Sequence, residues 1–481
     1  MAENIYRVTC PKKINRKNIV EVAVPGSKSI TNRALLLAAM ARGTSTLKGC
    51  LTSDDAMHFI ECLRGLGFPV DMVSEGGLGS TVTLTGFGGD IPKKSAEIYV
   101  GSAGTAARFL VALLAFSDGE YTVNASEQMK KRPMQPLIDT LRAAGAEVSC
   151  PEQEGHFPLY IKGARNNAQI PDCFTVNIDK SSQFLSALMI AVGTLHKRAQ
   201  IRVTGSHGLS YVDMTADMMK SFGICVEKET MEQENAVLEG DAEGQCQIRY
   251  VFSGMDSYRA LTYDVEPDMS AAAYFYALAA VLGTRVSVRG VTSNMLQGDV
   301  AFFKVLERMG CKIETLDGTD KVLSAESGNT EFRVASPGNI LVSGRSDGHL
   351  KGGFCVDMSA FSDQALTLAA IAPFADAPIT ITGISHIRLQ ECDRIQAIVH
   401  NLSALGVRVE EQKDGVVIYP GTPTGSEIET YDDHRVAMSF ALTGLRTEGV
   451  VILNPSCCKK TFAQYFEVME QTLDRLEETS A

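Results

Sequence analysis

The sequence predicts an α/β (α+β) protein of two pseudo-symmetric domains, each assembled from three repeated modules of helices and short strands. Three observations carry that prediction: a length of 481 residues, an apolar unit that recurs six times, and amphipathic segments ending at Gly between the copies. A chain this long exceeds what one hydrophobic core usually serves, so two cores are expected. Apolar residues make up 45%, charged residues 21%, and there are 42 glycines. That composition belongs to a folded, loop-punctuated protein and excludes a disordered or fibrous one.

The recurring unit is an apolar, helix-like run, then a short turn, then a strand-like run ending near Gly. Its copies read SKSITNRALLLAAMARGTSTLKG, SAGTAARFLVALLAFSDGEYTVN, SSQFLSALMIAVGTLHKRAQIRVTG, DMSAAAYFYALAAVLGTRVSVRG, SDQALTLAAIAPFADAPITITG and DDHRVAMSFALTGLRTEGVVIL. They begin at Ser27, Ser102, Ser181, Asp268, Ser362 and Asp432, spaced by 70 to 94 residues. Solenoid repeats run ~20–50 residues, so two domains of three modules are preferred to a solenoid.

Amphipathic helices lie between the copies, in HFIECLRGLGFPV, LIDTLRAAGAEV, MMKSFGICVE, FFKVLERMGCKIE and IVHNLSALGVRVE. The Gly near the end of each helix supplies a left-handed C-terminal cap before the next strand. The last such segment, TFAQYFEVMEQTLDRLEE, has the helical pattern but no Gly. Each module thus holds one helix apolar on most sides, which belongs inside, and one amphipathic helix that covers a sheet.

The net charge of −12 argues against attraction of the whole surface to nucleic acid or an anionic membrane and leaves room for a local cationic cleft. The opening MAENIYRVTCPKK lacks the apolar core of a signal peptide, and no run approaches ~20 apolar residues, so a cytosolic protein is expected. Twelve scattered cysteines form no C-x-x-C pair, and eight histidines show no ligand spacing. Neither a disulfide framework nor a metal site is implied.

The apolar helices begin with Ser, Asp or a polar cluster, as N-capping alone requires. Capping does not explain Lys28, Arg33, Arg108, Gln183, His434 and Arg435 beside them. A cation at a helix N-terminus opposes the macrodipole by ~0.3–1 kcal/mol, so compensation is needed, and a bound phosphate or carboxylate would supply it. MKKRPM around Arg132, RLQECDR with Arg388 and Arg394, and CCKKTF with Lys459 and Lys460 add cations. The plain reading of such runs is a solvated face. Asp268, Asp363, Asp432 and Asp433 mark the last three helix starts, with Glu391 between them. Cations on one side and carboxylates on the other suit an anionic substrate that needs proton transfer.

Eight segments occur in one order across residues 24–466: PGSKSITNRALLLA, SAGTAARF, MKKRP, SSQFLSAL, LQGD, RLQECDR, DDHRVAM and KKTF. On these the chain resembles the enolpyruvyl transferases, specifically the shikimate branch. The resemblance implies two domains, each of three βαβαββ units around buried parallel helices, an inside-out barrel. Residues 1–26 plus 266–481 would form a discontinuous domain with the catalytic carboxylates and part of the phosphoenolpyruvate site. Residues 27–265 would carry the acceptor-binding and basic helix starts, with the active site in the cleft between them.

The implied reaction moves the enolpyruvyl group of phosphoenolpyruvate to the 5-hydroxyl of shikimate-3-phosphate. It needs no metal or organic cofactor, no nucleic acid and no membrane, and the chain is expected to act as a monomer. By the same resemblance Lys28, Asp363 and Glu391 are catalytic. Lys28, Ser29, Arg33, Ser181, Ser182, Gln183, Tyr211, Asp363, His386 and Gln390 bind shikimate-3-phosphate. Lys28, Gly104, Arg132, Gln183, Arg394, Arg435 and Lys460 bind phosphoenolpyruvate.

The pattern departs from the family at Gln390, where a Lys is usual, at His386 for an Asn, at Gly208 for a phosphate-binding Ser, and at Ser102 for a common Asn. Two other readings follow: an enolpyruvyl transferase with a different acceptor, and a weakly active paralogue that binds phosphorylated ligands.

Overall fold

The computed structural model describes residues 4–74, 77–166, 170–205, 208–230, 246–316, 322–323 and 338–477. The chain divides into two compact units, residues 28–265 and residues 1–27 with 266–481. No helix among the described residues is long and apolar enough to cross a membrane.

In the unit of residues 28–265 the three apolar helices are Lys28–Met40, Gly104–Ala115 and Gln183–Val192. Every residue of Gly104–Ala115 is buried, as a helix apolar all round must be. Three four-stranded sheets accompany them, in the orders Thr262–Asp264, Arg42–Leu51, Gly79–Phe87, Val70–Ser74; Ser95–Tyr99, Glu120–Asn124, Leu159–Lys162, Glu147–Ser149; and Cys173–Asn177, Ala199–Thr204, Cys246–Phe252, Val226–Thr230. In each, the first pair is parallel and the next two pairs antiparallel. In the second and third sheets the parallel pair brackets the apolar helix in sequence, as a β-helix-β crossover demands.

The other unit repeats this plan with the apolar helices Met269–Leu282, Ala365–Ile371 and His434–Gly444, buried along their whole length. The third module is completed by the N-terminal strand Ile5–Arg7, which pairs antiparallel with Val451–Leu453. Among the described residues no strand follows the last amphipathic helix, Tyr465–Leu476. Asp363 pairs with Arg435, Thr367 with Ser439, and Thr443 with the carbonyl of Ala370. The partners advance together, so these two helices run parallel and start at one end.

Five amphipathic helices are followed by a Gly at positive φ, Gly67, Gly145, Gly223, Gly310 and Gly406. These are the left-handed caps the sequence pattern asks for.

The chain passes between the units twice. Ile19–Val22 pairs parallel with Arg285–Val288, and Thr262–Asp264 pairs parallel with Arg42–Leu51. Each of these strands therefore belongs to a module whose apolar helix lies far away in sequence. The two passages are tied by Ser27 N–H to the Glu266 carbonyl (2.8 Å) and Asp268 N–H to the Pro25 carbonyl (2.8 Å).

Candidate active site

Within residues 28–265 the helix starts gather Lys28, Arg33, Gly104, Arg108, Arg132 and Gln183. Lys28 is the first residue of its helix, and its Nζ lies 3.5 Å from the Asp55 carboxylate. Arg33 is buried, with Nε donating to Thr215 Oγ1 (2.7 Å), Nη1 to the Ser29 carbonyl (3.0 Å), and Nη2 to the Tyr211 carbonyl (3.0 Å) and Ser186 Oγ (3.4 Å). Its guanidinium also lies over the Phe109 ring. Burial pulls it down to about 10, which leaves it charged near neutrality.

Arg108 donates from Nη1 to Gln183 Oε1 (2.7 Å) and to the Gly104 carbonyl (3.1 Å). With its oxygen engaged, Gln183 donates from Nε2 to Thr105 Oγ1 (3.2 Å). Arg108 thereby fixes which way the amide faces. Gly104 makes this close gathering possible: a Cβ there would stand 2.5 Å from Arg132 Nη1 and 2.9 Å from Arg108 Nη1.

The serines at these starts do not cap in the ordinary way. Ser102 Oγ pairs with Ser126 Oγ (2.7 Å), and the N-cap positions Ala103 and Ser182 make no side-chain capping bond. Ser181 Oγ accepts from Gln183 N–H (3.3 Å). Tyr211 lies in the first turn of Leu209–Ser221, behind Gly208 at φ 64°. A Cβ on Gly208 would stand 2.6 Å from Ser182 Oγ. Gly208 thus stands where the backbone is left-handed and Ser182 occupies the space a Cβ would need.

In the other unit the site is built around Arg394, which is almost wholly buried. Nε donates to Asp433 Oδ2 (2.8 Å), Nη1 to Asp363 Oδ1 (3.1 Å) and Gln390 Oε1, and Nη2 to Glu391 Oε2 (3.0 Å) and Asp433 Oδ1 (3.3 Å). Burial opposes the charge, but Asp433, Glu391 and Asp363 outweigh it and hold the guanidinium above its ordinary value. Asp363 Oδ2 accepts from Arg435 Nη2 (2.7 Å), and Glu391 Oε1 lies 3.7 Å from Lys460 Nζ. Asp433 also caps His434–Gly444 by accepting from Arg435 N–H (2.9 Å).

Two of the positions expected to depart from the resemblance fall on this cluster. Gln390 offers its oxygen to Arg394, where a Lys would bring a second cation against the first. His386 Nε2 bonds Ser362 Oγ (2.8 Å), beside Asp363.

A bound anion is the expected compensation for the helix-start cations; part of it is internal instead. Asp55 faces Lys28, and Asp363 faces Arg435. Asp55 comes from the first turn of Asp54–Gly65, where a helix N-terminus itself favours an acid. Sequence reasoning gave no site role to Asp55, Thr215 or Ser186, and placed Asp433 among the helix-start carboxylates without its partner Arg394. The acidic pair after Ser53 was the available signal for Asp55, while the hydroxyls carried none.

A family model described as EPSP synthase (3-phosphoshikimate 1-carboxyvinyltransferase) matches residues 15–469. The 3-phosphoshikimate 1-carboxyvinyltransferase of Nostoc punctiforme is 40% identical over 465 residues, covering 96% of this chain and 98% of that one. A protein of Halalkalibacterium halodurans, 3-phosphoshikimate 1-carboxyvinyltransferase 2, is 38% identical over 464 residues, 95% of this chain and 93% of its own. An EPSP synthase structure from Acinetobacter baumannii superposes with a TM-score of 0.73 at 23% identity, covering 97% of this chain and 98% of that chain, a likeness of fold.

Proposed function

The chain belongs to the EPSP synthase family, and from that premise we propose how its residues divide the reaction. The protein transfers the carboxyvinyl (enolpyruvyl) group of phosphoenolpyruvate to shikimate-3-phosphate with release of phosphate, a step of the shikimate pathway. The acceptor oxygen attacks C2 of phosphoenolpyruvate and gives up its proton while C3 takes one up, forming a tetrahedral ketal. Loss of a proton from C3 and departure of phosphate from C2 then restore the double bond.

Asp363 takes the proton of the 5-hydroxyl, and Glu391 with Lys28 serves C3. The observation that carries this reading is the Arg394 cluster, where one buried guanidinium holds Asp363 and Glu391 at 3.1 and 3.0 Å. Two carboxylates fixed by one planar cation are oriented before substrate arrives, the preorganisation that proton transfer rewards.

Phosphoenolpyruvate is the ligand of Lys28, Gly104, Arg132, Gln183, Arg394, Arg435 and Lys460. Shikimate-3-phosphate is the ligand of Lys28, Ser29, Ser181, Ser182, Gln183, Tyr211, Asp363, His386 and Gln390. Arg33 joins them through Nη1, since Nε and Nη2 are engaged by Thr215, Ser186 and Tyr211. The proposed working state is a cytoplasmic monomer without metal or organic cofactor.

A different acceptor is favoured by Gly208 and Gln390. Loss of a Lys and a Ser hydroxyl from one phosphate subsite removes a charge-assisted bond of ~1.5–3 kcal/mol and a neutral one of ~0.5–1.5 kcal/mol. Phosphate release from phosphoenolpyruvate, measured with shikimate-3-phosphate, with shikimate and with no acceptor, separates the readings. Turnover with shikimate-3-phosphate alone is expected. Turnover that needs another acceptor overturns it, and phosphoenolpyruvate binding without any turnover would mark a binding paralogue.

A further inference from the structure

Asp299 closes the LQGD segment, in the short 3-10 turn Gly298–Ala301, and is only 2% exposed. Its Oδ1 accepts from Gln364 Nε2 (2.8 Å) and from Ser270 Oγ (3.0 Å). Gln364 follows Asp363 directly in the turn Ser362–Gln364 and is itself fully buried, with Oε1 accepting from Thr367 (3.2 Å). Ser270 lies in the first turn of Met269–Leu282. One oxygen therefore ties together the starts of two buried helices, one residue away from Asp363.

We propose that Asp299 is a positioning residue for Asp363, holding it through Gln364 and strengthening its hold on the proton it takes from the acceptor. The inference rests on the reading of Asp363 as that base. Tethering alone needs no charge, because an amide or hydroxyl oxygen would satisfy Gln364 and Ser270. Burying a carboxylate is costly, so its charge calls for a separate account.

Burial, then the neighbouring Asp363, push Asp299 up to about 6; Asp268 adds to the rise, while Gln364 and Arg435 oppose it. The Coulomb interaction is mutual, so an ionised Asp299 raises the proton affinity of Asp363 in turn. Asp363 also faces the Arg394 and Arg435 guanidinia and the buried Tyr274 phenol. The two arginines hold it in place but weaken it as a base. When Asp299 is ionised, its charge offsets them.

The test is the pH dependence of kcat for Asp299→Asn, with phosphoenolpyruvate and shikimate-3-phosphate as substrates. Removing the charge lowers the proton affinity of Asp363, so the acid limb should move to lower pH by roughly half a unit to one unit. The weaker base should lower kcat at its plateau by about tenfold, with both KM values within about twofold. Ser270→Ala, which loses one tether and keeps the charge, should leave the limb in place.

A folded Asp299→Asn protein with an unmoved acid limb overturns the proposal, since a merely structural Asp299 predicts that result. Should Asp299→Asn not fold, Gln364→Leu breaks the tether and keeps the charge; wild-type kcat in that protein also overturns it. Asp363→Asn separates the two readings. Near-normal turnover there removes the base assignment itself, whereas an inactive Asp363→Asn beside an unmoved limb removes the role of Asp299 alone.

Discussion

In residues 28–265 Lys28 meets the Asp55 carboxylate but the arginines Arg33 and Arg108 meet neutral oxygens, while in the other unit Arg394 and Arg435 meet carboxylates. Arg33 rests on Thr215, Ser186 and two carbonyls, and Arg108 on Gln183 and the Gly104 carbonyl. Arg394 and Arg435 meet Asp363, Glu391 and Asp433. A neutral acceptor orients a cation without cancelling its charge, so its attraction for an anion survives. A carboxylate cancels the charge and adds a proton acceptor. One module, repeated six times, thus carries arginines on neutral acceptors in one unit and arginines on proton acceptors in the other.

The strongest way to break this comparison is to remove a cation from each unit. Arg394→Leu leaves three carboxylates without their common partner and should cost ~3–5 kcal/mol, as broken buried pairs do. Arg33→Leu leaves neutral acceptors behind and should cost about 1–3 kcal/mol. Urea denaturation reads both, and an equal or larger loss for Arg33→Leu contradicts the contrast.

Turnover comes next. Lys28→Ala and Glu391→Ala should each lower kcat by about 10²-fold or more, the scale of charge stabilisation and proton transfer. Lys28→Ala should also raise KM for both anionic substrates, whereas Glu391→Ala should leave KM nearly unchanged. Near-normal rates in either variant would remove its assignment.

The smallest effect is expected at Gly208→Ser, which restores the family's hydroxyl on a left-handed backbone against Ser182. A thermal midpoint lowered by an amount corresponding to about 1–2 kcal/mol is expected, with KM for shikimate-3-phosphate unchanged. A falling KM would show that the missing hydroxyl limits acceptor binding.

The repeat was legible because its two signals are local. Apolar runs marked all six buried helices, with starts one to three residues before the observed Lys28, Gly104, Gln183, Met269, Ala365 and His434. The fifth is the shortest, because Pro373 enters the following 3-10 turn and cannot continue an α-helix. Asp363, Glu391, Arg394, Arg435 and Lys460 are adjacent in space although spread over nearly a hundred residues, and motif order alone pointed to them. What motif order could not supply was the pairing among them. Asp433 as the common partner of Arg394, and Asp55 as that of Lys28, depend on helices meeting, which no local pattern records. The exchanged strands were hidden for the same reason: Ile19–Val22 and Thr262–Asp264 read as ordinary strands next to the wrong helices.

That exchange sets the order in which a growing chain can mature. Ile5–Arg7 and Ile19–Val22 are synthesised before residues 28–265, yet their partners Val451–Leu453 and Arg285–Val288 come after them. Residues 28–265, by contrast, hold all the described strands of their three sheets. During vectorial synthesis this inserted unit is complete while the leading strands still wait, their unpaired edges open to misassembly. Closing the other unit is therefore a long-range event, slow by the contact distance it must span.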